Sequence, residues 1–254
     1  MRYMLTTILH GTPSALPPLM IVHGLFGSAR NWSAMARRLS DSRLVLVPDL
    51  RNHGESPWAA SHSYADLAED LAEIAAPYPP LDVLGHSMGG KAAMMLALTK
   101  PALVNRLLIA DIAPVAYTHS QMPLVDAMRS LDLTVTSRSQ ADRRLAEAVP
   151  DASTRAFLLQ SLDLKASPPR WRLNLDILAR EMDRITGWPQ PQAAFDGPAL
   201  FLSGALSSYV LVHHRPLIKA LFPAARFAKL AGAGHWLHAD KPMEFEATVR
   251  AWFT

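Results

Sequence analysis

The chain has no cysteine, which removes disulfides, thiolate metal sites and a thiol nucleophile from consideration. It also lacks any run of five or six like charges; charged residues make up 19% of the chain and the formal net charge is +3. Scattered basic residues of this kind read as a solvated face, so no nucleic-acid partner is expected. No apolar stretch approaches the roughly 18 residues that a membrane span requires, so no stable membrane insertion is expected. The opening segment Met1 to His10 has an apolar core too short for a secretory signal and is expected to form a strand. The cytoplasm is the expected compartment by default. Repeats and low-complexity segments are absent too.

What is present is an apolar chain of ordinary domain size. Half of its 254 residues are hydrophobic, which places it among globular proteins with a single core. Short apolar runs occur at Leu19 to Val22, Leu44 to Val47 and Ala199 to Leu202, and Leu81 to Leu84, Val104 to Ala110 and Arg226 to Leu230 read as further strands. Between them lie segments of helical spacing, such as Ser63 to Ala76 with Tyr64, Leu67, Leu71 and Ile74 on one face. Strands apolar throughout, alternating with helices, predict a parallel sheet covered on both faces. From about Pro114 to Pro191 the alternation stops and helical spacing dominates, in four pieces broken by Pro150, Pro168-Pro169 and Gly187. The expected organisation is an α/β core of residues 1–113 and 192–254, with residues 114–191 inserted as a helical cap.

Gly85-His86-Ser87-Met88-Gly89 follows one of these strands and precedes a helix. In that setting G-x-S-x-G is a nucleophile elbow: a strained turn lifts the serine hydroxyl above the sheet, and the glycines allow the strand and helix to meet closely. The Met88 N–H then faces the pocket from a helix N-terminus and suits a developing oxyanion. His23-Gly24-Leu25-Phe26-Gly27, after the strand Leu19 to Val22, supplies Leu25 as the second backbone donor, with Phe26 shaping the acyl pocket. Read alone, that second motif is a plain turn between strand and helix; its weight comes from the elbow beside it.

Ten histidines compete for the role of base. His10, His62, His119, His213 and His214 are expected at the surface, His23, His53 and His86 as hydrogen-bonded turn residues, and His238 as structural. His235, in a glycine loop after the last strand, is the expected base, because such a loop can carry an imidazole over the sheet to Ser87. The orienting acid is less direct. The usual position follows the strand Ala199 to Leu202, yet Ser203 to Tyr209 contains no carboxylate. Asp111, ending the apolar run Leu107 to Ala110, is favoured over Asp176 in the cap segment, because a rigid strand end holds a base better than a mobile cap. Asp111 as a simple turn cap is the competing reading. Tyr209 and Trp236 are expected to line the substrate pocket. No carboxylate or histidine cluster has metal-ligand spacing, and neither a metal nor another cofactor is expected.

Together these segments resemble the α/β-hydrolases, and among them the small serine esterases of the YbfF type. The likeness is carried by His23 to Ser28, Asp49 to Pro57, Gly85 to Lys91, Asp111 to Val115, Ser207 to Val210 and Ala233 to Pro242, with Asn52-His53-Gly54 and Lys91 the more discriminating marks. The resemblance implies the α/β-hydrolase fold and hydrolysis of small-molecule carboxylic esters, with short acyl chains, or of acyl thioesters. It also supports Asp111, since that group likewise lacks an acid after the later strand. Ala205-Leu206 stands where the group tends to have Gly-Asn, which bears on pocket detail. The same scaffold serves C–C bond hydrolysis and cofactor-free perhydrolysis, a hydrolase fold can persist as a non-catalytic binding module, and a lipase acting at membranes is a further reading.

Overall fold

In the computed structural model, which describes residues 4–254, seven strands form one sheet. The elements run β1 (Thr7–His10), β2 (Leu19–Val22), α1 (Ala29–Leu39), β3 (Val45–Pro48), α2 (Tyr64–Ala75), β4 (Leu81–His86), α3 (Met88–Thr99) and β5 (Val104–Ala110). Then come α4 (Met122–Ser130), α5 (Arg138–Leu145), α6 (Ala152–Leu158), β6 (Leu162–Asp163), β7 (Arg170–Trp171), α7 (Leu175–Arg180) and α8 (Met182–Thr186). The chain closes with β8 (Ala199–Gly204), α9 (Arg215–Leu221), β9 (Ala225–Leu230), α10 (Leu237–Asp240) and α11 (Pro242–Phe253). The sheet order is β1-β3-β2-β4-β5-β8-β9, parallel throughout except for the antiparallel pair β1–β3. The expected strand at the start is therefore Thr7–His10; Met1 to Tyr3 lie outside the described residues.

Both faces of the sheet are covered over its middle, which is why β2, β3, β4 and β8 are buried along their whole length. Leu19 and Ile21 of β2 and Leu84 of β4 pack with Trp32, Met35 and Leu39 of α1 and Phe245, Val249 and Phe253 of α11. Met20, Val22 and Val83 point the other way, against Leu67 and Leu71 of α2 and the Ala- and Met-rich face of α3. Helix α2 starts where the sequence indicates: the Ser63 hydroxyl accepts the Asp66 N–H, and the Asp66 carboxylate accepts the Ser63 N–H in return.

Residues between β5 and β8 are not helical throughout. Five α-helices occur there, α4 to α8, together with the small antiparallel ribbon β6–β7. Two residues per strand leave no periodic pattern to detect. The segment is tied to the core at several points around one end of the sheet. The Gly54 N–H donates to the Arg172 carbonyl (2.8 Å) and the Asn174 N–H to the Asn52 carbonyl (3.0 Å). The Ser161 hydroxyl donates to the Phe26 carbonyl (2.9 Å).

The junction of β4 and α3 is the tightest place in the core. A methyl added at Gly89 would lie 2.3 Å from the His23 carbonyl oxygen, and one at Gly85 would lie 2.5 Å from that of Gly89. Backbone faces backbone here, so nothing flexible can yield. Gly89→Ala is accordingly expected to lower the free energy of unfolding by about 2 kcal/mol or more. Urea denaturation of wild type and variant measures this, and an unchanged midpoint would contradict the close approach.

Candidate active site

Four non-glycine residues have positive φ among the described residues: Phe26 (63°), Asn52 (65°), Ser87 (54°) and Asp111 (51°). Each lies at or a few residues past the carboxyl end of a neighbouring sheet strand, β2, β3, β4 and β5 in turn. Such conformations cost on the order of 1–3 kcal/mol each and persist only where the surroundings enforce them. The strain is concentrated at the carboxyl ends of the inner strands.

Ser87 occupies the turn between β4 and α3 at φ 54°, ψ −123°, with its side chain partly accessible. His235 enters from the loop after β9. Its Nε2 lies 3.0 Å from the Ser87 Oγ, and its Nδ1 lies 2.8 Å from the Asp111 Oδ2. Asp111 is completely buried at the end of β5. Its Oδ1 accepts the Gly204 N–H (3.1 Å), and its Oδ2 accepts the Ser207 hydroxyl as well as facing His235. The carboxylate is thus held by three groups, from the end of β8, the loop after it and the loop after β9. This arrangement brings Ser87, His235 and Asp111 together. It does not bring Asp176 to them: that side chain is 89% exposed and pairs with Arg129 at 2.7 Å.

Among the described residues neither the Leu25 nor the Met88 N–H has a hydrogen-bond acceptor. A methyl at Gly24 would lie 3.2 Å from the Ser87 Cβ, so the loop carrying Leu25 abuts the elbow. Two buried histidines hold that loop. His53 Nε2 accepts the Phe26 N–H (3.2 Å) while its Nδ1 faces the Arg51 carbonyl (3.0 Å). His23 Nε2 accepts the Leu50 N–H (3.0 Å) and its Nδ1 faces the Gly24 carbonyl (2.8 Å). Accepting at Nε2 while donating at Nδ1 requires the neutral imidazole in both cases. Burial enforces the same state, holding His23 down to about 4 from 6.5, and His53 to about 3, with His23 adding to the latter.

Phe26 is buried, and with Leu25, Tyr209 and Trp236 it lines a cavity of about 800 Å³ that Ser87 and His235 open into. The Tyr209 ring stacks on the His235 imidazole, with centroids 4.1 Å apart. Trp236 meets Phe157 of α6 at 5.5 Å. His86 faces the His235 carbonyl through Nε2 at 2.8 Å, and burial holds its pKa well below 6.5. His62, expected at the surface, is buried: its Nε2 lies 3.4 Å from the Met88 sulfur and its ring 5.3 Å from that of His53. The turn after β3 folds Asn52 back against it, and no local pattern announces that. Ser207 carries no signal of its own in the sequence, since a hydroxyl partner to a carboxylate leaves no motif. Among the described residues no group of three or more His, Cys, Asp or Glu could hold a metal ion, and no helix is long and apolar enough to cross a membrane.

The profile of the α/β hydrolase fold matches residues 17–242. The chain belongs to the α/β-hydrolase family. It is 39% identical over 247 residues to the sn-1-specific diacylglycerol lipase ABHD11 of Mus musculus, covering 93% of this chain and 80% of that one. It is 36% identical over 240 residues to esterase YbfF of Escherichia coli (strain K12), covering 92% and 91%. Among solved structures it superposes on a marine microorganism esterase with a TM-score of 0.93 at 34% identity, covering 98% of this chain and 99% of that one. The resemblance read from the motifs therefore holds for the family and its YbfF-type esterases, and this α/β-hydrolase is a carboxylesterase-type enzyme.

The neutral histidines give its stability a definite pH dependence. His23 and His53 take up protons near 6.5 when unfolded but only near 4 and 3 when folded. Their contribution is present above pH 6.5 and lost as pH falls through this window, each adding a slope of about 1.4 kcal/mol per unit. Urea midpoints measured between pH 7.5 and 4.5 are expected to fall steeply below 6.5. A flat profile would contradict the neutral, buried assignment.

Proposed function

We propose that this chain hydrolyses carboxylic esters with short acyl chains through an acyl-enzyme, with Ser87 as nucleophile, His235 as general base and Asp111 as the acid that orients it. One observation carries the reading: the continuous line from Asp111 Oδ2 to His235 Nδ1 (2.8 Å) and from His235 Nε2 to Ser87 Oγ (3.0 Å). His235 takes the Ser87 proton as Oγ attacks the ester carbonyl, and the developing imidazolium is stabilised by the Asp111 carboxylate. The Leu25 and Met88 N–H groups receive the oxyanion, at about 3 kcal/mol of transition-state stabilisation per donor. His235 then protonates the departing alcohol. A water, deprotonated in the same way, attacks the acyl-enzyme and releases the acid and Ser87. The net reaction consumes one ester and one water and yields one alcohol and one acid.

Residues 114–191 act in this proposal as a cap. They supply Phe157, Ile185 and Thr186 to the cavity wall and hold the loop of Phe26 through Ser161. Phe26, Tyr209 and Trp236 bound the substrate; Tyr209, stacked on His235, also limits how the imidazole swings. No step calls on a metal or other cofactor.

Hydrolysis of p-nitrophenyl butanoate and hexanoate tests the assignment. Ser87→Ala is expected to lower kcat by about 10⁶-fold and Asp111→Asn by about 10⁴-fold. Asp176→Asn, which alters an exposed ion pair, should change it less than about twofold. If Asp111→Asn keeps near-full activity while Asp176→Asn loses it, the orienting acid is misassigned. An organophosphate should label the wild type and fail to label Ser87→Ala; absence of wild-type labelling would indicate a binding module.

A further inference from the structure

Lys91 is a buried charged group that the proposed chemistry leaves unused. It stands one helical turn beyond Ser87 on α3, its N–H donating to the Ser87 carbonyl at 3.1 Å. The residue is 0% exposed, yet it borders the cavity that Ser87 and His235 share. Its Nζ donates to the carbonyls of Thr186 (2.9 Å) and Gly187 (2.6 Å) at the end of α8. It also lies 4.8 Å from the centre of the Tyr117 ring and 5.7 Å from that of Tyr64. Among the described residues no carboxylate pairs with it, and burial alone holds its pKa down to about 7.

A helix end needs only neutral donors, whereas an ammonium removed from water without an anion is costly. Two carbonyls take two of its three N–H groups, and the aromatic faces supply weak attraction to the remainder. The cavity is the place from which a counter-ion can come. Asp240, a carboxylate on its wall, is already held by the Gly234 N–H at 2.8 Å. The charge of Lys91 is felt further along the same wall, where it adds to burial and to His235 in lowering the pKa of His119. Ser87 and Lys91 thus border one cavity, with the Tyr64 and Tyr117 rings beside the Lys91 Nζ.

We propose that Lys91 receives a carboxylate at the far end of the acyl chain, so that monoesters of dicarboxylic acids are preferred substrates of this enzyme. The proposal rests on Ser87 being the nucleophile. Hydrolysis would then release the alcohol and a free dicarboxylate.

Two matched pairs of chromogenic esters test this: the p-nitrophenyl monoesters of adipic and suberic acids against p-nitrophenyl hexanoate and octanoate. For wild type, the carboxylated ester of at least one pair should have a kcat/KM about tenfold above its neutral partner, the worth of one charge-assisted hydrogen bond. Lys91→Met should reverse that ratio, because the carboxylate then meets an apolar wall; the ratio is internal, so a loss of folded enzyme lowers both members alike. As a measurement that needs no variant, adipate should inhibit wild-type hydrolysis of the hexanoate ester more strongly than hexanoate anion does. Wild-type ratios below one in both pairs, a ratio unchanged in Lys91→Met, or stronger inhibition by hexanoate would each overturn the proposal. Failure of wild type to hydrolyse the neutral esters would instead point back to the esterase mechanism itself.

Discussion

Asp111 is a carboxylate with no exposed surface, and the geometry at the carboxyl ends of the inner strands follows from how it is satisfied. An ionised carboxylate is retained in such a place only where donors converge on it. Here they come from the Gly204 N–H, the Ser207 hydroxyl and the His235 imidazole, and all three depend on the order β5-β8-β9. Parallel pairing sets Ala110 opposite Leu202, and the Asp111 N–H donates to the Leu202 carbonyl. That register brings the ends of β5 and β8 level, and the loop after β9 then delivers His235 between Asp111 and Ser87. A shift of one residue in β8 would separate the carboxylate from its donors.

The backbone around this line is strained and the surroundings supply what holds it. Phe26, Asn52, Ser87 and Asp111 keep left-handed conformations at four successive strand ends. Asn52 is fixed by Ala59 and Asn174, Phe26 by His53 and Ser161, and Asp111 by the residues already named. Arg51, which precedes Asn52, is anchored in turn on Asp70 of α2 at 2.6 and 2.7 Å. The discriminating run Asn52-His53-Gly54 therefore positions the loop that carries Leu25 and ties it to the segment between β5 and β8. His53 in that run, like His23 in the loop after β2, acts as a neutral hydrogen-bonding wedge.

Much of this was legible in the chain, and the reasons are local. The elbow, the glycine turn before α1 and the histidine loop after β9 each combine a short motif with a neighbouring strand, so periodicity and turn chemistry suffice to place them. Asp111 is legible through an absence, the missing carboxylate between Ser203 and Tyr209. What stayed hidden depends on contacts distant in sequence. Ser207 meets Asp111 across 96 positions, and Lys91 meets Thr186 and Gly187 across 95 and 96. The burial of His62 and the two-residue strands of β6 and β7 carry no pattern of their own. The sheet's architecture is written in apolar periodicity; the second layer of the site is written in tertiary contacts alone.

The central claim is that the Asp111 carboxylate holds the Nδ1 proton of His235. Proton NMR reads that hydrogen bond directly, since a proton shared between an imidazole and a buried carboxylate gives a strongly deshielded resonance. The account predicts this resonance in wild type and in Asp176→Asn, and its loss in Asp111→Asn with the remaining spectrum of a folded protein intact. Persistence of the resonance in Asp111→Asn, or its absence from the folded wild type, would contradict the account.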